Sequence, residues 1–283
     1  MLVSNRFTQS KPLLEHVRVC LSKCIQVYET QRIAAPHEHE ISCAGKVYAW
    51  CTDVTTTNHA IIALKGTTDI SDILHDLTWW PKDYNPKGDK VHGGFAGCAA
   101  KVYKRVVKWI EQKPRSRITL CGHSMGGSVA ALLAYRLAKA NVGVDHMCVI
   151  TFGAPPFATT EFAKSYAKTV PFHIGFVLRN DPVPAFPLVS SLLLTPYVHV
   201  GAQYPIAAAD HGHLSTDVFA RHRTTAYAAA LRHALSGAGV NNNVPNVYAT
   251  DPKIPAAVTD KQITREHVHV RHPLSPVSSS SSS

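Results

Sequence analysis

The segment from 118 to 139 restricts the possible fold more than any other part of the chain. It consists of a short apolar run, then GHSMGG at 122–127, then a stretch with apolar residues at helical spacing. The pattern G-x-S-x-G between a strand and a helix predicts a sharp turn. Gly122 and Gly126 fit this turn because strand and helix approach each other too closely there for side chains. The turn therefore presents Ser124 at the start of a helix, where negative charge is stabilised.

Short apolar runs alternate with amphipathic stretches over most of the chain. Such alternation favours an α/β fold with a mainly parallel central sheet flanked by helices. The predicted strands cover 46–51, 59–65, 118–121, 147–152, 172–177 and 197–203. The predicted helices cover 11–32, 96–113, 128–139, 161–168 and 216–235.

The composition is that of a chain with a large core. Hydrophobic residues make up 45% and charged residues 17% of 283 residues, which excludes a wholly disordered chain or a coiled coil. We expect one domain over 1–236. From 237 the sequence loses any sustained period and ends in a run of serines, so 237–283 is predicted to be an irregular extension with a disordered tail.

The charge balance is basic, with a formal net charge of +10. A basic protein suits anionic partners such as an acidic membrane surface or nucleic acid. A stripe of cations at Lys101, Lys104, Arg105 and Lys108 fits peripheral contact with an anionic membrane, but it also fits an ordinary solvated helix face. The chain carries no zinc-finger, RRM or KH signature, so no nucleic-acid partner is predicted. The oligomeric state stays open.

The cysteines and the first residues bear on the compartment. Seven scattered cysteines, no N-glycosylation sequon, no signal-like segment and no apolar span predict an intracellular protein. Cys20 and Cys24 have helical spacing, which fits two core residues better than half a metal site. Histidine-rich stretches at 37–39 and 267–272 are interpreted as surface residues. We therefore predict neither a metal nor a cofactor.

A nucleophilic serine needs a base and an acid that orients it. In chains with this kind of elbow the order is serine, acid, histidine. Of the four acidic residues between Ser124 and the downstream His211, Asp181 closely follows the apolar run 172–177. Because active sites form at the carboxyl ends of strands in open α/β sheets, Asp181 is the predicted acid.

The base is expected in the loop DHGHLS at 210–215, where His211 and His213 are separated by one glycine. Histidines at 222, 233, 267, 269 and 272 fall within the predicted last helix or the tail. They are therefore set aside. The residues alone leave the choice between His211 and His213 open.

Several motifs, in one order, make the chain resemble the class 3, fungal-type lipase family. The resemblance covers about 46–220. It rests on AIIALKGTTDISDILHDLTWWP (60–81), VHGGF (91–95), ITLCGHSMGG (118–127), VITFGAPPF (149–157), RNDPVPAFP (179–187), YVHVG (197–201) and HGHLS (211–215).

The resemblance implies an α/β-hydrolase fold and a triad of Ser124, Asp181 and His213, with His211 as the alternative base. It also implies an oxyanion hole formed by the main-chain N–H groups of Thr67 and Met125. The segment after Thr67 corresponds to the family's lid. Its apolar side would comprise Ile70, Ile73, Leu74, Leu77, Trp79 and Trp80.

The function that the resemblance implies is hydrolysis of carboxylic esters in glycerolipids through an acyl-enzyme. Three alternatives use the same scaffold. A phospholipase would differ in headgroup and an acyltransferase in the acceptor of the acyl group. A non-catalytic binding protein would retain the fold alone.

Overall fold

The computed structural model describes residues 11–29, 32–54, 58–67, 81–113, 115–142, 146–188, 197–207, 217 and 219–235. The lid candidates between 70 and 80, both candidate bases at 211 and 213, and the C-terminal extension lie outside these ranges. The predicted domain boundary at 236 and the predicted disordered tail therefore stay predictions.

The described strands and helices alternate along the chain. The strands are β1 (Glu38–Cys43), β2 (Lys46–Val54), β3 (His59–Leu64), β4 (Pro81–Asp83), β5 (Lys90–His92), β6 (Arg117–His123), β7 (His146–Phe152), β8 (His173–Leu178) and β9 (Ala202–Ile206). The α-helices are α1 (Lys11–Gln26), α2 (Gly93–Glu111), α3 (Met125–Lys139), α4 (Thr160–Thr169) and α5 (Thr224–Leu235). Short 3-10 helices cover Val183–Leu188 and Ala220–His222.

Seven of these strands form one sheet in the order β1-β2-β3-β6-β7-β8-β9. The β1–β2 and β2–β3 pairs are antiparallel, and every pair from β3 to β9 is parallel. Parallel strands need crossover connections, which the helices provide. The carboxyl ends of β3, β6, β7 and β8 therefore meet at one edge of the sheet.

Side-chain alternation divides the core into two layers. In β3, Ile62 and Leu64 pack in the cluster that also contains residues of α2, α3 and α4, whereas Ile61 and Ala63 pack in the cluster that contains residues of α1 and α5. This period of two is inherent in an extended backbone. The sheet is consequently buried on both faces, as parallel sheets are.

The structure confirms the predicted α/β class and shows where the element boundaries differ. β1 was not predicted, because its sequence EHEISC carries only a weak apolar signal. α1 ends at Gln26, six residues before the predicted end. α5 begins at Thr224, eight residues after the predicted start, and this difference matters for the site.

None of the helices in the described ranges combines the length and the hydropathy needed to cross a bilayer.

Candidate active site

The turn between β6 and α3 has the strained geometry that the sequence predicts for it. Ser124 has φ 58° and ψ −137°, a backbone conformation that non-glycine residues rarely adopt. Its N–H donates to the carbonyl of Phe152 at 2.9 Å, and its own carbonyl accepts from the N–H of Gly127 at 2.9 Å. Strain of this kind persists only where the surroundings fix it, and it occurs often at functional sites.

The two glycines that flank Ser124 are required by close approach. A Cβ at Gly122 would lie 2.2 Å from the carbonyl oxygen of Gly126. A Cβ at Gly126 would lie 2.4 Å from the carbonyl oxygen of Leu64 and 2.9 Å from the nitrogen of Gly66. The elbow is therefore in backbone contact with the end of β3.

Asp181 lies just after β8 and is buried, with 2% of its surface exposed. Its Oδ1 accepts a hydrogen bond from the N–H of Val183 at 3.0 Å, and its Oδ2 accepts one from the hydroxyl of Tyr227 at 2.7 Å. The tyrosine hydroxyl in turn accepts from the N–H of Leu178 at 3.0 Å. A buried carboxylate with several donors is held in one orientation.

The imidazole at this carboxylate belongs to His222. Its Nδ1 lies 2.8 Å from Oδ2 and 3.0 Å from Oδ1 of Asp181, and its side chain is fully buried. The sequence-based choice of His213, with His211 as alternative, stays a prediction, whereas the described histidine that bonds the carboxylate is His222. Both earlier candidates lie outside the described residues.

The reason that sequence reasoning passed over His222 is a helix boundary. A helix predicted from 216 would have placed His222 inside it, but the chain forms a 3-10 turn over Ala220–His222 and starts α5 only at Thr224. Arg223 between them has an extended backbone with ψ 144°. Capping preference does not separate the two starts, because Ser215-Thr216 is as good a helix start as Thr224-Thr225.

Two buried polar atoms near the elbow have no hydrogen-bond partner among the described residues, Oγ of Ser124 and Nε2 of His222. Because Nδ1–H of His222 donates to Asp181, Nε2 carries the free lone pair. The rings of His222 and His123 have centroids 4.6 Å apart, so the imidazole lies beside the residue next to Ser124. Buried groups without partners are unfavourable unless something else, such as a substrate, uses them.

His123 holds His222 near the elbow through a hydrogen bond. Its Nε2–H donates to the carbonyl of His222 at 2.6 Å, which leaves Nδ1 to accept from the hydroxyl of Tyr28 at 3.4 Å. Tyr28 also accepts a main-chain hydrogen bond from Gly66. Burial, and then the neighbouring His222, lower the pKa of His123 well below its usual value, so this ring is neutral. The chain of bonds connects the end of β3, the elbow and His222.

The two predicted oxyanion-hole residues are neighbours. The hydroxyl of Thr67 donates to the sulfur of Met125 at 3.4 Å. Met125 is the first residue of α3, so its N–H has no acceptor within the helix. Thr67 follows Gly66, whose backbone touches the elbow. The structure thus brings Thr67 to the same turn as Ser124, whereas the lid candidates are not described.

Other predicted features lie elsewhere. The cations at 101, 104, 105 and 108 are exposed on α2. Cys20 and Cys24 are both fully buried in the core under the sheet. Within the described ranges, no group of three or more potential ligand side chains is arranged to hold a metal.

The chain has the arrangement that defines an α/β-hydrolase. A mainly parallel sheet carries a serine at a strained strand-to-helix elbow, an acid after a later strand and a histidine after the last strand. Residues 61–191 match the family model of Lipase (class 3). The predicted resemblance is thereby confirmed.

Similar proteins with curated descriptions include several fungal lipases. A secreted mono- and diacylglycerol lipase, MDL3, of Malassezia globosa is 31% identical over 141 residues, which are 45% of this chain and 46% of that protein. The lipase of Rhizomucor miehei is 27% identical over 176 residues, 56% of this chain and 47% of that protein. The chain thus spans about half the length of the curated relatives that it matches.

Solved structures share the fold. The Rhizomucor miehei lipase in complex with its propeptide aligns with a TM-score of 0.59 at 22% identity, over 70% of this chain and 69% of that one. A triacylglycerol lipase whose catalytic centre is formed by a serine protease triad aligns with a TM-score of 0.60 at 23% identity, over 70% of this chain and 81% of that one.

The expected intracellular localisation is contradicted by these comparisons. Several relatives are named secreted lipases, among them those of Malassezia globosa, Gibberella zeae and Penicillium cyclopium. Free cysteines and the lack of a sequon were two of the four features on which the expectation rested. Neither feature reports directly on export, because both also occur in proteins whose folding does not depend on disulfides or glycans.

Proposed function

We propose that this chain hydrolyses the carboxylic esters of acylglycerols with Ser124 as nucleophile, His222 as base and Asp181 as orienting acid. The observation that carries the proposal is the buried hydrogen bond from Nδ1 of His222 to Asp181, next to a serine held at φ 58°. That bond fixes the tautomer in which Nε2 is free to take a proton.

In the proposed reaction, Nε2 of His222 removes the proton of Ser124 as Oγ attacks the ester carbonyl. The oxyanion accepts hydrogen bonds from the N–H groups of Thr67 and Met125, and the imidazolium then protonates the departing alcohol. Water, deprotonated by the same Nε2, releases the fatty acid and regenerates Ser124. Asp181 stabilises the imidazolium throughout, and Tyr227 keeps the carboxylate in place.

The choice of acylglycerols as substrate rests on the relatives. The matched proteins of Malassezia globosa and Penicillium cyclopium are named mono- and diacylglycerol lipases. Phospholipase and acyltransferase activities would use the same serine and histidine. A panel of monoacyl-, diacyl- and triacylglycerols and phospholipids, with and without an alcohol acceptor, distinguishes them.

The test compares Ser124→Ala and His222→Gln with His213→Gln and His211→Gln. Hydrolysis of a p-nitrophenyl acyl ester should fall by roughly 10⁴-fold or more in the first two variants. The last two should stay within a few-fold of the wild type, as should the control His146→Gln at the exposed start of β7. Full loss in His213→Gln with activity retained in His222→Gln would assign the base to the loop instead.

A non-catalytic scaffold is tested in the same samples. Labelling with a fluorophosphonate, followed by mass spectrometry, should modify Ser124 in the wild type and not in Ser124→Ala. An unlabelled, inactive but folded wild-type protein would favour the non-catalytic alternative.

A further inference from the structure

A charged cleft lies beside the end of β3, apart from the candidate triad. Its volume is about 390 Å³. Its lining includes Arg32, Lys46, Trp50, Lys65, Glu29 and Glu40. None of the proposed catalytic residues contributes to this lining.

The position of the cleft follows from the strand register. Lys65 comes directly after β3, and its N–H donates to the carbonyl of Tyr48 in β2 at 2.8 Å. Lys46 begins β2, which runs antiparallel to β3. Lys65 also comes directly before Gly66 and Thr67, so the cleft borders the turn that carries one proposed oxyanion donor.

Arg32 is the residue in this cleft whose hydrogen bonding is incomplete. Its side chain is 11% exposed, and its guanidinium stacks on the Trp50 ring with 4.5 Å to the centroid. Nη2 donates to the carboxylate of Glu38, whereas Nη1 is buried and has no partner among the described residues. A buried cationic N–H without an acceptor is unfavourable.

The charges around the cleft have a positive excess, which favours an anion. Glu38 is shared between Arg32 and Lys23, whose Nζ lies 2.9 Å from Oε1, so this carboxylate balances only one of two cations. Together, the cationic side chains number one more than the carboxylates. The cations are Lys23, Arg32, Lys46 and Lys65, and the carboxylates are Glu29, Glu38 and Glu40.

We infer that this cleft binds a phosphate group, with Arg32, Lys46 and Lys65 as its ligands. The planar guanidinium suits the spaced oxygens of phosphate, and two lysines supply further charge without fixed geometry. The group would come from the headgroup of a glycerophospholipid or from free phosphate. Because binding requires no hydrolysis, the inference goes beyond the proposed function and can be tested without it.

The experiment uses the full chain with Ser124→Ala, so that no ester is turned over. Inorganic phosphate is titrated by calorimetry at constant ionic strength into this background, and into the same background with Arg32→Gln or Lys65→Gln. The matched control is Lys164→Gln, which removes one positive charge from an exposed position on α4.

Saturable phosphate binding that weakens about tenfold in Arg32→Gln and Lys65→Gln, and by less than twofold in Lys164→Gln, supports the site. Equal weakening in all three variants, or no saturable binding in the parent, overturns it. If Arg32→Gln lowers Tm because Glu38 loses one of its two cationic partners, Lys46→Gln replaces it in the comparison.

A second arm identifies the source of the phosphate. A short-chain phosphatidylcholine, kept below its micelle concentration, should displace inorganic phosphate if a headgroup occupies the cleft, and the matching diacylglycerol should not. Binding of inorganic phosphate without displacement supports free phosphate as ligand. Displacement by both lipids to the same extent contradicts a phosphate site, as does displacement by butyrate at equal concentration.

Discussion

At the scale of single residues, the candidate site depends on which groups donate hydrogen bonds to Asp181. Its two oxygens receive the amide of Val183, the imidazole of His222 and the hydroxyl of Tyr227. Gly153 makes room for this group: it has φ +60°, and a Cβ there would lie 2.9 Å from Oδ2. Each donor is separately fixed, so the carboxylate has one orientation available.

We predict that Tyr227→Phe lowers kcat about tenfold, with little change in KM. A hydrogen bond to a charged group contributes about 1.5–3 kcal/mol, and tenfold in rate corresponds to about 1.4 kcal/mol. The measurement is steady-state hydrolysis of a p-nitrophenyl ester, together with Tm to detect lost stability. Tyr103→Phe, a half-buried tyrosine of α2, is the control. An unchanged kcat in Tyr227→Phe would show that Val183 and His222 suffice to position the carboxylate.

At the scale of elements, the elbow is where β3, β6 and α3 touch through backbone rather than side chains. Gly122 lies against Gly126, and Gly126 lies against Leu64. This contact could be anticipated, because the G-x-S-x-G spacing has a steric reason. The start of α5 could not be anticipated in this way, because the choice between residue 216 and Thr224 depends on the packing of Tyr227 against β7 and β8.

We expect Gly126→Ala to destabilise the fold by at least about 2 kcal/mol, because its Cβ would overlap backbone atoms that cannot move aside cheaply. Gly97→Ala is the matched control. It lies within α2, and its Cβ would have no atom within 4 Å, so the same change should stabilise by roughly 0.5–1 kcal/mol. Urea unfolding measures both free energies. Equal effects of the two substitutions would contradict the close approach at the elbow.

At the scale of the whole molecule, several buried histidines are neutral because the core surrounds them. Burial, and then His199, lower the pKa of His173 to about 3, while the ring bonds Tyr166 at 2.9 Å and lies 3.3 Å from the Thr151 hydroxyl. Burial lowers the pKa of His199 to about 4. In the unfolded chain both titrate near 6.5. Below that pH the unfolded state binds more protons, so stability falls as pH falls.

We therefore predict that Tm is highest above pH 6.5 and falls by on the order of 10 °C by pH 5. Each of the two histidines lowers the free energy of unfolding by about 1.4 kcal/mol per pH unit below 6.5. Differential scanning calorimetry between pH 5 and 8 measures it. His173→Gln should lower Tm at pH 7.5 but reduce the decline toward acid, because one titrating group is removed. A constant Tm down to pH 5 would mean that these histidines titrate alike in both states.

The sequence by itself determined the features that depend on neighbours along the chain. Alternating apolar runs specified the α/β class, and glycine spacing specified the elbow at Ser124. The position of Asp181 after an apolar run indicated the carboxyl edge of the sheet. Each of these is a local property of backbone sterics or of side-chain periodicity.

Only the tertiary structure decided which histidine reaches Asp181 and how Arg32, Lys46 and Lys65 come to share one cleft. His222 follows Asp181 by 41 residues, and a difference of eight residues in a helix start moves it from a helix into a turn. Arg32 lies between α1 and β1 and stacks on Trp50 of β2, whereas Lys65 follows β3, so the two come together only when β2 and β3 pair. Such contacts depend on how whole elements pack, and no spacing along the chain records that.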